Sequence, residues 1–282
     1  MLVLSTEHFG AEDVDRLRAA GCDYLFVRPG GDPHGASSEQ FLAGIYALPD
    51  DVRRRVQVLV TPSFHVTAHL LDALPALQWV HHPGAGVNSG SFWTQWDLLD
   101  AHHIVVTTAK IHAVPISEWI VTVMLALSKN LKRYQKQQEA HIYHEEGVRI
   151  SNLIVEGRTA LVIGTGHVGT ETGRKLKLAF NMTMLGINSD GRPVPHFDEM
   201  HTLADLDELL PRADFVICTS VLVEATRGMI DARRLALMKP SAYVINPSRG
   251  SLIVEQDLID ALRDHRIAGA ALDTFEVEPL RA

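Results

Sequence analysis

Short apolar runs alternate with longer amphipathic stretches along the whole chain. Runs rich in Val, Ile and Leu are typical of buried strands, and the stretches between them have helical spacing. Strands that alternate with helices predict an α/β architecture, in which helices cover both faces of a parallel sheet. The predicted strands are residues 2–5, 24–27, 56–60, 77–80, 104–107, 159–163, 182–187, 214–219, 242–246 and 269–273. The main predicted helices are residues 11–20, 67–74, 115–142, 170–180, 203–210 and 256–264, and a further helix ends at 238.

The longest helical pattern begins at Pro115, a residue that suits the first turn of a helix, and runs to about Ile142. This pattern separates a first α/β unit, which ends near Ala109, from a second one. The helix could be a hinge and an oligomer face, and a buried linker helix is an equally good interpretation. Its apolar residues form one stripe, made of Trp119, Ile120, Val123, Met124, Leu127 and Leu131.

A glycine-rich turn lies between the predicted strand 159–163 and the predicted helix 170–180. It reads Gly164-Thr165-Gly166-His167-Val168-Gly169, a G-x-G-x-x-G pattern. The first glycine permits a tight bend, the second lets a diphosphate approach the backbone, and the third lets helix and strand pack closely. The N–H groups and the dipole at the helix start then favour phosphate. A plain strand-to-helix turn is the alternative, but the flanking strand and helix favour a dinucleotide site.

Length, charge and composition limit the classes of protein to which the chain can belong. The chain has 282 residues, enough for two domains with their own cores. Its net charge is -8 without any block of Lys and Arg, which argues against a nucleic-acid partner or an anionic membrane surface. The longest mostly apolar stretch, residues 119–127, is too short to span a bilayer, and the N-terminus lacks a signal-peptide pattern. Cys22 and Cys218 lie far apart and form no C-x-x-C motif, which fits a reduced cytoplasm.

The 15 histidines raise the question of a metal site. His102-His103, and His141 with His144, are close in sequence, but no third ligand has a recognisable spacing. We therefore predict no metal site. We interpret His81-His82 as polar residues at a strand end, although the second of them could face a substrate.

Five further motifs accompany the glycine turn. With them the chain resembles the D-isomer-specific 2-hydroxyacid dehydrogenases, in particular the glyoxylate/hydroxypyruvate reductases, clearly over residues 55–282 and loosely before that. The motifs are H-A-V-P-I-S-E (112–118), L-D-E-L-L-P-R-A-D-F-V (206–216), A-T-R-G-M-I (225–230), M-K-P-S-A-Y-V-I-N-P-S-R-G (238–250) and A-G-A-A-L-D-T-F-E-V-E-P-L (268–280).

The resemblance implies two domains: a flavodoxin-like substrate-binding domain at residues 1–109 and a Rossmann NAD(P)-binding domain with a parallel sheet at residues 110–282. It also implies hydride transfer between NAD(P)H and a small 2-oxoacid or D-2-hydroxyacid. Arg249 matches the family's catalytic arginine, whose planar fork can grip a carboxylate and a carbonyl oxygen. Glu278 matches the catalytic glutamate, which orients a histidine and raises its pKa so that it can donate a proton. Asp273 matches an acid near the nicotinamide.

The resemblance also assigns the ligand-binding loops and a further partner. A second copy of the chain is expected, because relatives form homodimers and the apolar stripe offers a face. The substrate carboxylate is expected on the N–H groups of Gly84, Ala85, Gly86 and Val87, which resemble an anion-binding loop. The cofactor is expected on Gly164, Gly166, His167, Val168, Gly169 and Thr226.

The residues after the strand 182–187 bear on the choice of cofactor. An acid at this position would accept hydrogen bonds from the ribose 2′-OH of NAD. The chain has Asn188 and Ser189 there, and Arg192 could pair with a 2′-phosphate. We therefore expect NADP, with NAD as the alternative because Asp190 lies in the same loop.

One departure from the family concerns the proton donor. The family's catalytic histidine lies beyond the glutamate, after one more strand, whereas this sequence ends four residues after Glu278. The chain in this form is expected to bind the cofactor but to reduce 2-oxoacids poorly, since a positioned acid contributes roughly 10²–10⁴-fold. The alternative is a catalytically impaired or truncated dinucleotide-binding protein of the same fold. No G-x-S-x-G elbow or P-loop points to another enzyme class.

Overall fold

The structure is a computed structural model, and it describes residues 1–30, 38–62, 66–84, 96–143, 152–278 and 280. The chain divides into two compact units, Met1–Ile111 and His112–Ala282. Each unit is built around its own parallel sheet, and the units are described separately below.

The first unit contains a five-stranded sheet in the order β2-β1-β3-β4-β5, with every neighbouring pair parallel. This order is the flavodoxin-like arrangement, in which the chain reverses direction across the sheet after its second strand. The described strands are β1 (Leu2–Ser5), β2 (Asp23–Phe26), β3 (Val56–Val60), β4 (Trp79–His82) and β5 (Val105–Thr108). The described helices are α1 (Ala11–Ala19), α2 (Ser38–Tyr46), α3 (Asp50–Arg53), α4 (Ala68–Ala73) and α5 (Trp96–Ala101).

The central strands of this sheet are buried on both faces. Leu4 packs into one apolar cluster with Phe41 and Leu70, whereas its neighbour Val3 packs into another with Leu17. Successive strand residues point to opposite faces, so the two clusters are the two helix-covered sides of the sheet. The sequence therefore shows short continuous apolar runs here, not an alternating pattern.

The second unit contains a six-stranded parallel sheet in the order β11-β10-β9-β6-β7-β8. Numbered within the unit, this is the 3-2-1-4-5-6 order of the Rossmann fold. The described strands are β6 (Thr159–Ile163), β7 (Thr183–Ile187), β8 (Glu199–His201), β9 (Phe215–Cys218), β10 (Tyr243–Asn246) and β11 (Gly269–Leu272). The described α-helices are α6 (Ala113–Ser128), α7 (Leu131–Glu139), α8 (His167–Phe180), α9 (Leu206–Leu209), α10 (Ala232–Leu237) and α11 (Glu255–Arg263).

The long helix predicted from Pro115 to Ile142 is wrong as a single element. It breaks at Asn130, whose φ of 53° is left-handed, so that α6 and α7 are separate helices. Asparagine adopts this conformation at helix ends more readily than most residues. Ile120 and Met124 of the predicted stripe are fully buried in the unit's own core, beside Leu176 of α8. The structure therefore supports the linker-helix interpretation for α6.

The predicted α/β class is confirmed, and the predicted strands agree with the observed ones to within two residues. Strand β8 was missed because its sequence, Glu199-Met200-His201, is mostly polar; it lies at the edge of the sheet and pairs only with β7 among the described strands. Three helices of the first unit, α2, α3 and α5, were also missed.

Within the described residues, no helix has the length and apolar character needed to cross a membrane. Both cysteines, Cys22 and Cys218, are buried free thiols. In the same part of the chain, no three side chains of His, Cys, Asp or Glu come together in a way that could hold a metal ion.

Candidate functional site

The glycine turn joins the central strand β6 to helix α8. Gly164 has a φ of 99°, and its N–H and that of Thr165 both donate to the Ile187 carbonyl, at 2.9 and 3.2 Å. Gly166 is the N-cap of α8, with extended backbone. The first N–H groups of a helix have no acceptor within the helix. The turn thus presents the N–H groups of His167, Val168 and Gly169 at the carboxyl end of the sheet.

The three glycines of the turn differ in what surrounds them. A Cβ on Gly164 would lie 2.5 Å from the Ser220 Cα, and one on Gly169 would overlap the Gly164 carbonyl oxygen. These two positions need glycine because backbone approaches backbone. A Cβ on Gly166 would meet no atom of the described residues within 4 Å. Packing among these residues therefore does not require glycine at Gly166, whereas a ligand that approaches the backbone there would.

Threonine hydroxyls hold the turn in place. Thr219, after β9, donates its hydroxyl to the Gly164 carbonyl at 2.6 Å. Thr170, in the first turn of α8, donates its hydroxyl to the Thr165 carbonyl at 3.0 Å. Both acceptors are carbonyls of the turn, so the orientation of its peptide groups is set by side chains from β9 and α8.

A cavity of about 490 Å³ opens beside this turn, within the second unit. It lies at the carboxyl ends of β6, β7 and β9. The strand order of the sheet reverses between β6 and β9, which is where ligands bind in open α/β sheets. The cavity is lined by Ile163, Gly164, Thr165, Gly166, Ile187, Asn188, Ser189, Arg192, Leu203, Thr219, Ser220, Val221, Val223, Ala225 and Thr226.

The loop after β7 forms a tight polar turn on the cavity wall. The Asn188 side-chain amide donates to the Arg192 carbonyl at 2.9 Å, and its oxygen accepts the Asp190 N–H at 3.3 Å. The Arg192 guanidinium pairs with Asp190 at 3.3 Å, with both side chains more than half exposed. Exposed pairs of this kind contribute little stability, so Arg192 can exchange its partner for an anion at small cost. Ser189 is exposed on the same turn.

Thr226 closes the loop that follows β9. Its hydroxyl donates to the Val221 carbonyl at 2.8 Å and accepts the Val223 N–H at 2.9 Å. The side chain is 9% exposed. Thr226 therefore shapes the cavity wall through the loop, and its hydroxyl already has donor and acceptor partners in the chain.

Arg249 follows β10 and sits on a small polar network. The Asn246 side chain donates to the Arg249 carbonyl at 2.9 Å and accepts the Ser248 N–H at 3.1 Å. The Ser248 hydroxyl donates to the Ser220 carbonyl at 2.7 Å, which connects this loop to the end of β9. Arg249 is half-buried, and its guanidinium donates to the Ser248 carbonyl at 2.7 Å. Among the described residues no carboxylate pairs with Arg249, so most of its donors are available to a ligand.

Glu278 lies in a turn that packs against the residue after Arg249. A Cβ on Gly250 would overlap the carbonyl group of Phe275, so this close approach requires glycine. The Phe275 N–H donates to the Glu278 carboxylate at 2.8 Å. Asp273, exposed just after β11, donates its N–H to the Asn246 carbonyl at 3.0 Å. The structure thus brings Glu278 and Asp273 to the same end of the sheet as Arg249.

The predicted substrate loop is described only in part. Gly84 lies against the buried ring of His82, since a Cβ on Gly84 would overlap the His82 Nε2 atom. Ala85, Gly86 and Val87 lie outside the described residues. His82 Nδ1 is 3.3 Å from the Thr61 carbonyl, and His81 Nδ1 is 2.8 Å from the Thr107 hydroxyl. Burial lowers the pKa of His81, which favours its neutral form.

A thiol and a carboxylate on strands of the second unit have shifted pKa values. Burial raises the pKa of the Cys218 thiol to about 12, so this residue at the end of β9 is protonated and unsuited to act as a nucleophile. Hydrogen bonds from Arg212 and then His201 lower the pKa of Glu199. The edge strand β8 therefore carries an ionised carboxylate near neutral pH.

Several polar residues of the site were missed from the sequence. Thr219, Ser220 and Ser248 each follow a strand, where side chains of parallel sheets reach the ligand-binding edge. Their positions directly after apolar runs were the available signal. Their hydrogen-bond partners lie on segments that are distant in sequence, so the local sequence pattern does not predict them.

The sequence and the fold both match known proteins. The sequence model described as "D-isomer specific 2-hydroxyacid dehydrogenase, NAD binding domain" matches residues 121–282. A glyoxylate reductase from Thermococcus onnurineus (strain NA1) is 30% identical over an alignment of 286 residues that covers 98% of this chain and 80% of that protein.

Solved structures match the fold across the chain. A D-isomer specific 2-hydroxyacid dehydrogenase family protein from Aeromonas salmonicida is 27% identical, with a TM-score of 0.73 over 100% of this chain and 83% of that one. An NADPH-dependent glyoxylate/hydroxypyruvate reductase from Sinorhizobium meliloti, solved with NADP and sulfate, is 23% identical, with a TM-score of 0.74 over 99% and 83%. At that identity the second match supports the fold alone.

Alanine substitutions at Gly166 and at Gly169 are expected to have different effects. Gly166→Ala is expected to leave the free energy of unfolding within about 0.5 kcal/mol of wild type, because its Cβ enters open space. The same change is expected to weaken dinucleotide binding at least ~10-fold, because that space is where the diphosphate would approach the backbone. Gly169→Ala is expected to cost about 1–3 kcal/mol of stability, because its Cβ overlaps a backbone carbonyl.

Chemical denaturation measures the stabilities of these variants, and fluorescence titration with NADH and NADPH measures their binding. Normal binding by a stable Gly166→Ala protein would exclude the turn as the phosphate site.

Proposed function

Because the chain belongs to the D-isomer specific 2-hydroxyacid dehydrogenase family, we propose that it is an NAD(P)H-dependent reductase of small 2-oxoacids such as glyoxylate and hydroxypyruvate. The observation that carries the proposal is the position of Arg249, a half-buried residue held at the carboxyl end of the sheet that also contains the glycine turn. Residues 1–109 would form the substrate-binding domain and residues 110–282 the cofactor domain.

The residues divide into a cofactor side and a substrate side. The turn at Gly164–Gly169 would hold the diphosphate, and the polar turn at Asn188–Arg192 would hold the adenosine ribose. The bound nicotinamide would supply a hydride to the carbonyl carbon of the 2-oxoacid. Arg249 would bind the substrate carboxylate and stabilise the negative charge that develops on the carbonyl oxygen.

Glu278 would serve the proton-transfer side of the reaction. Its carboxylate is held by the Phe275 N–H, in a turn packed against Gly250. A carboxylate in this position can orient an imidazole and raise its pKa so that it donates a proton to the alkoxide. Asp273 lies beside this turn, at the end of β11, and would face the nicotinamide.

NADP is the cofactor we propose, in preference to NAD. No acid stands at the end of β7, where Asn188 instead uses its side chain to close the turn. The exposed guanidinium of Arg192 lies on the cavity wall, and its pairing with Asp190 is weak enough to yield to a 2′-phosphate.

Arg192→Ala is expected to weaken NADPH binding about 10-fold and to change NADH binding less than ~2-fold, because only NADPH carries the 2′-phosphate. Arg174→Ala is the matched control, since Arg174 is also exposed but pairs with Glu171 on α8, away from the cavity lining. Fluorescence titration of both reduced cofactors measures the effect. Tighter binding of NADH than of NADPH by the wild type would refute the preference, as would unchanged NADPH binding in Arg192→Ala.

Arg249→Gln is expected to weaken binding of oxamate, a 2-oxoacid analogue, to the NADPH complex by ~10–100-fold, because charge-assisted hydrogen bonds to the carboxylate are lost. Arg249→Lys is expected to restore little of this binding, since a point charge does not reproduce the planar fork. Binding of NADPH alone is expected to remain at the wild-type level. Calorimetry measures both ligands.

Equal oxamate binding by wild type and Arg249→Gln would contradict the assignment of Arg249. A wild-type chain that binds NADPH but neither binds oxamate nor reduces glyoxylate would support the alternative, a dinucleotide-binding protein without catalysis.

A homodimer is also part of the proposal. Ile120 and Met124 of the stripe on α6 are buried within its own unit. The surface that supports a dimer is therefore α7 and the residues after it, where Leu131, Tyr134, Ile142 and Tyr143 are exposed apolar or aromatic side chains. Exposed apolar groups that cluster in this way mark association surfaces. Light scattering is expected to give a dimer mass at micromolar concentration, and Leu131→Asp is expected to shift the protein towards monomer. A monomeric wild type would refute the dimer.

We propose a cytoplasmic location, because the two cysteines are buried free thiols. Recovery of the protein in a secreted or membrane fraction after cell fractionation would contradict this location.

A further inference from the structure

Three buried side-chain hydroxyls have no hydrogen-bond partner among the described residues. They belong to Thr172, Ser220 and Thr274. A buried hydroxyl without a partner is unfavourable, and native structures contain few of them. Of the three, Ser220 alone lines the cavity beside the glycine turn. A residue with an unsatisfied hydroxyl therefore forms part of the cavity wall where the proposed function places a ligand.

The backbone of Ser220 has little freedom to move. Its Cα and N atoms would each lie 2.5 Å from a Cβ on Gly164, so the two backbones are in direct contact. Its carbonyl accepts the Ser248 hydroxyl at 2.7 Å. Ser220 follows β9, which pairs with β6 at the point where the strand order reverses. The hydroxyl is thus carried by a rigid segment at the phosphate-binding end of the cavity.

We propose that the Ser220 hydroxyl is a ligand of the bound dinucleotide and hydrogen-bonds an oxygen of its diphosphate–ribose part. Gly164, which contacts Ser220, begins the turn that leads to the start of α8, and a helix start favours phosphate. The adenosine ribose is assigned to the turn at 188–192, on the β7 side of the cavity. The inference rests on the proposed function, because it requires that a dinucleotide binds here.

Ser220→Ala tests this role by two measurements, the affinity for NADPH and the thermal stability of the ligand-free protein. The dissociation constant for NADPH is expected to rise about 3–10-fold, the effect of losing one net hydrogen bond. The melting temperature of the ligand-free protein is expected to stay level or rise, because the variant removes a buried hydroxyl that has no partner among the described residues. A purely structural role for Ser220 would instead lower the melting temperature.

Thr172→Val is the matched control. Thr172 also carries a buried hydroxyl without a partner among the described residues, but it lies in α8 and does not line the cavity. This variant keeps the side-chain shape and removes the hydroxyl. Its NADPH dissociation constant is expected to stay within ~2-fold of wild type, since one lost hydroxyl away from the ligand removes no ligand contact.

Binding of ADP-ribose, which lacks the nicotinamide, locates the contact. Ser220→Ala is expected to weaken the binding of ADP-ribose and of NADPH by the same factor.

An unchanged NADPH dissociation constant overturns the proposal. A fall in melting temperature together with the loss of affinity also overturns it, as does a loss of affinity for NADPH without a loss for ADP-ribose. If the wild type binds neither dinucleotide, the proposed function fails and this inference fails with it. If the wild type binds and Ser220→Ala binds equally, only this inference fails.

Discussion

The second unit depends on the contact of three backbone segments at the centre of its sheet. Gly164, Gly169 and Ser220 come so close together that a Cβ on either glycine would overlap backbone or nearly touch it. Contacts of this kind restrict the backbone conformation of the turn between β6 and α8. The N–H groups at the start of α8 are therefore fixed in direction before any ligand arrives, which reduces the ordering cost of binding.

The same constraint extends to the residues assigned to chemistry. Ser220 accepts a hydrogen bond from Ser248, which precedes Arg249 in the loop after β10. Gly250 in turn lets the peptide group of Phe275 approach closely, and Phe275 holds Glu278. A series of backbone contacts and short hydrogen bonds thus connects the glycine turn with the arginine and the glutamate. Side chains held by such a support have a fixed orientation, which the proposed hydride transfer would require.

The sequence predicted the elements that bury apolar residues on both sides. Residues 159–163 of β6 were predicted without error, because Leu161 and Val162 face opposite helix layers and the run is continuously apolar. Strand β8 was missed, since an edge strand needs no such run. The break at Asn130 was missed because the apolar spacing continues across it to Leu131, and a single residue of left-handed backbone leaves the spacing unchanged.

The sequence predicted the motif residues of the candidate site but not the hydrogen bonds between them. The glycine turn, Asn188, Arg192 and Arg249 stand at strand ends, so their positions follow once the strands are known. The contacts of Thr219 with Gly164 and of Ser248 with Ser220 join segments 55 and 28 residues apart. Such contacts arise from strand order, and the order of strands in a sheet is a property of the whole unit that a local pattern does not encode.

The central claim is that a dinucleotide binds on the turn between β6 and α8. Amide hydrogen exchange of the wild-type protein with and without NADPH tests it most directly, because the first N–H groups of α8 have no acceptor within the helix and exchange readily until a ligand covers them. The account predicts slower exchange at residues 164–170 and 188–192 when NADPH is added, and unchanged exchange in α10. Unchanged exchange at 164–170 with NADPH at saturating concentration would contradict the account.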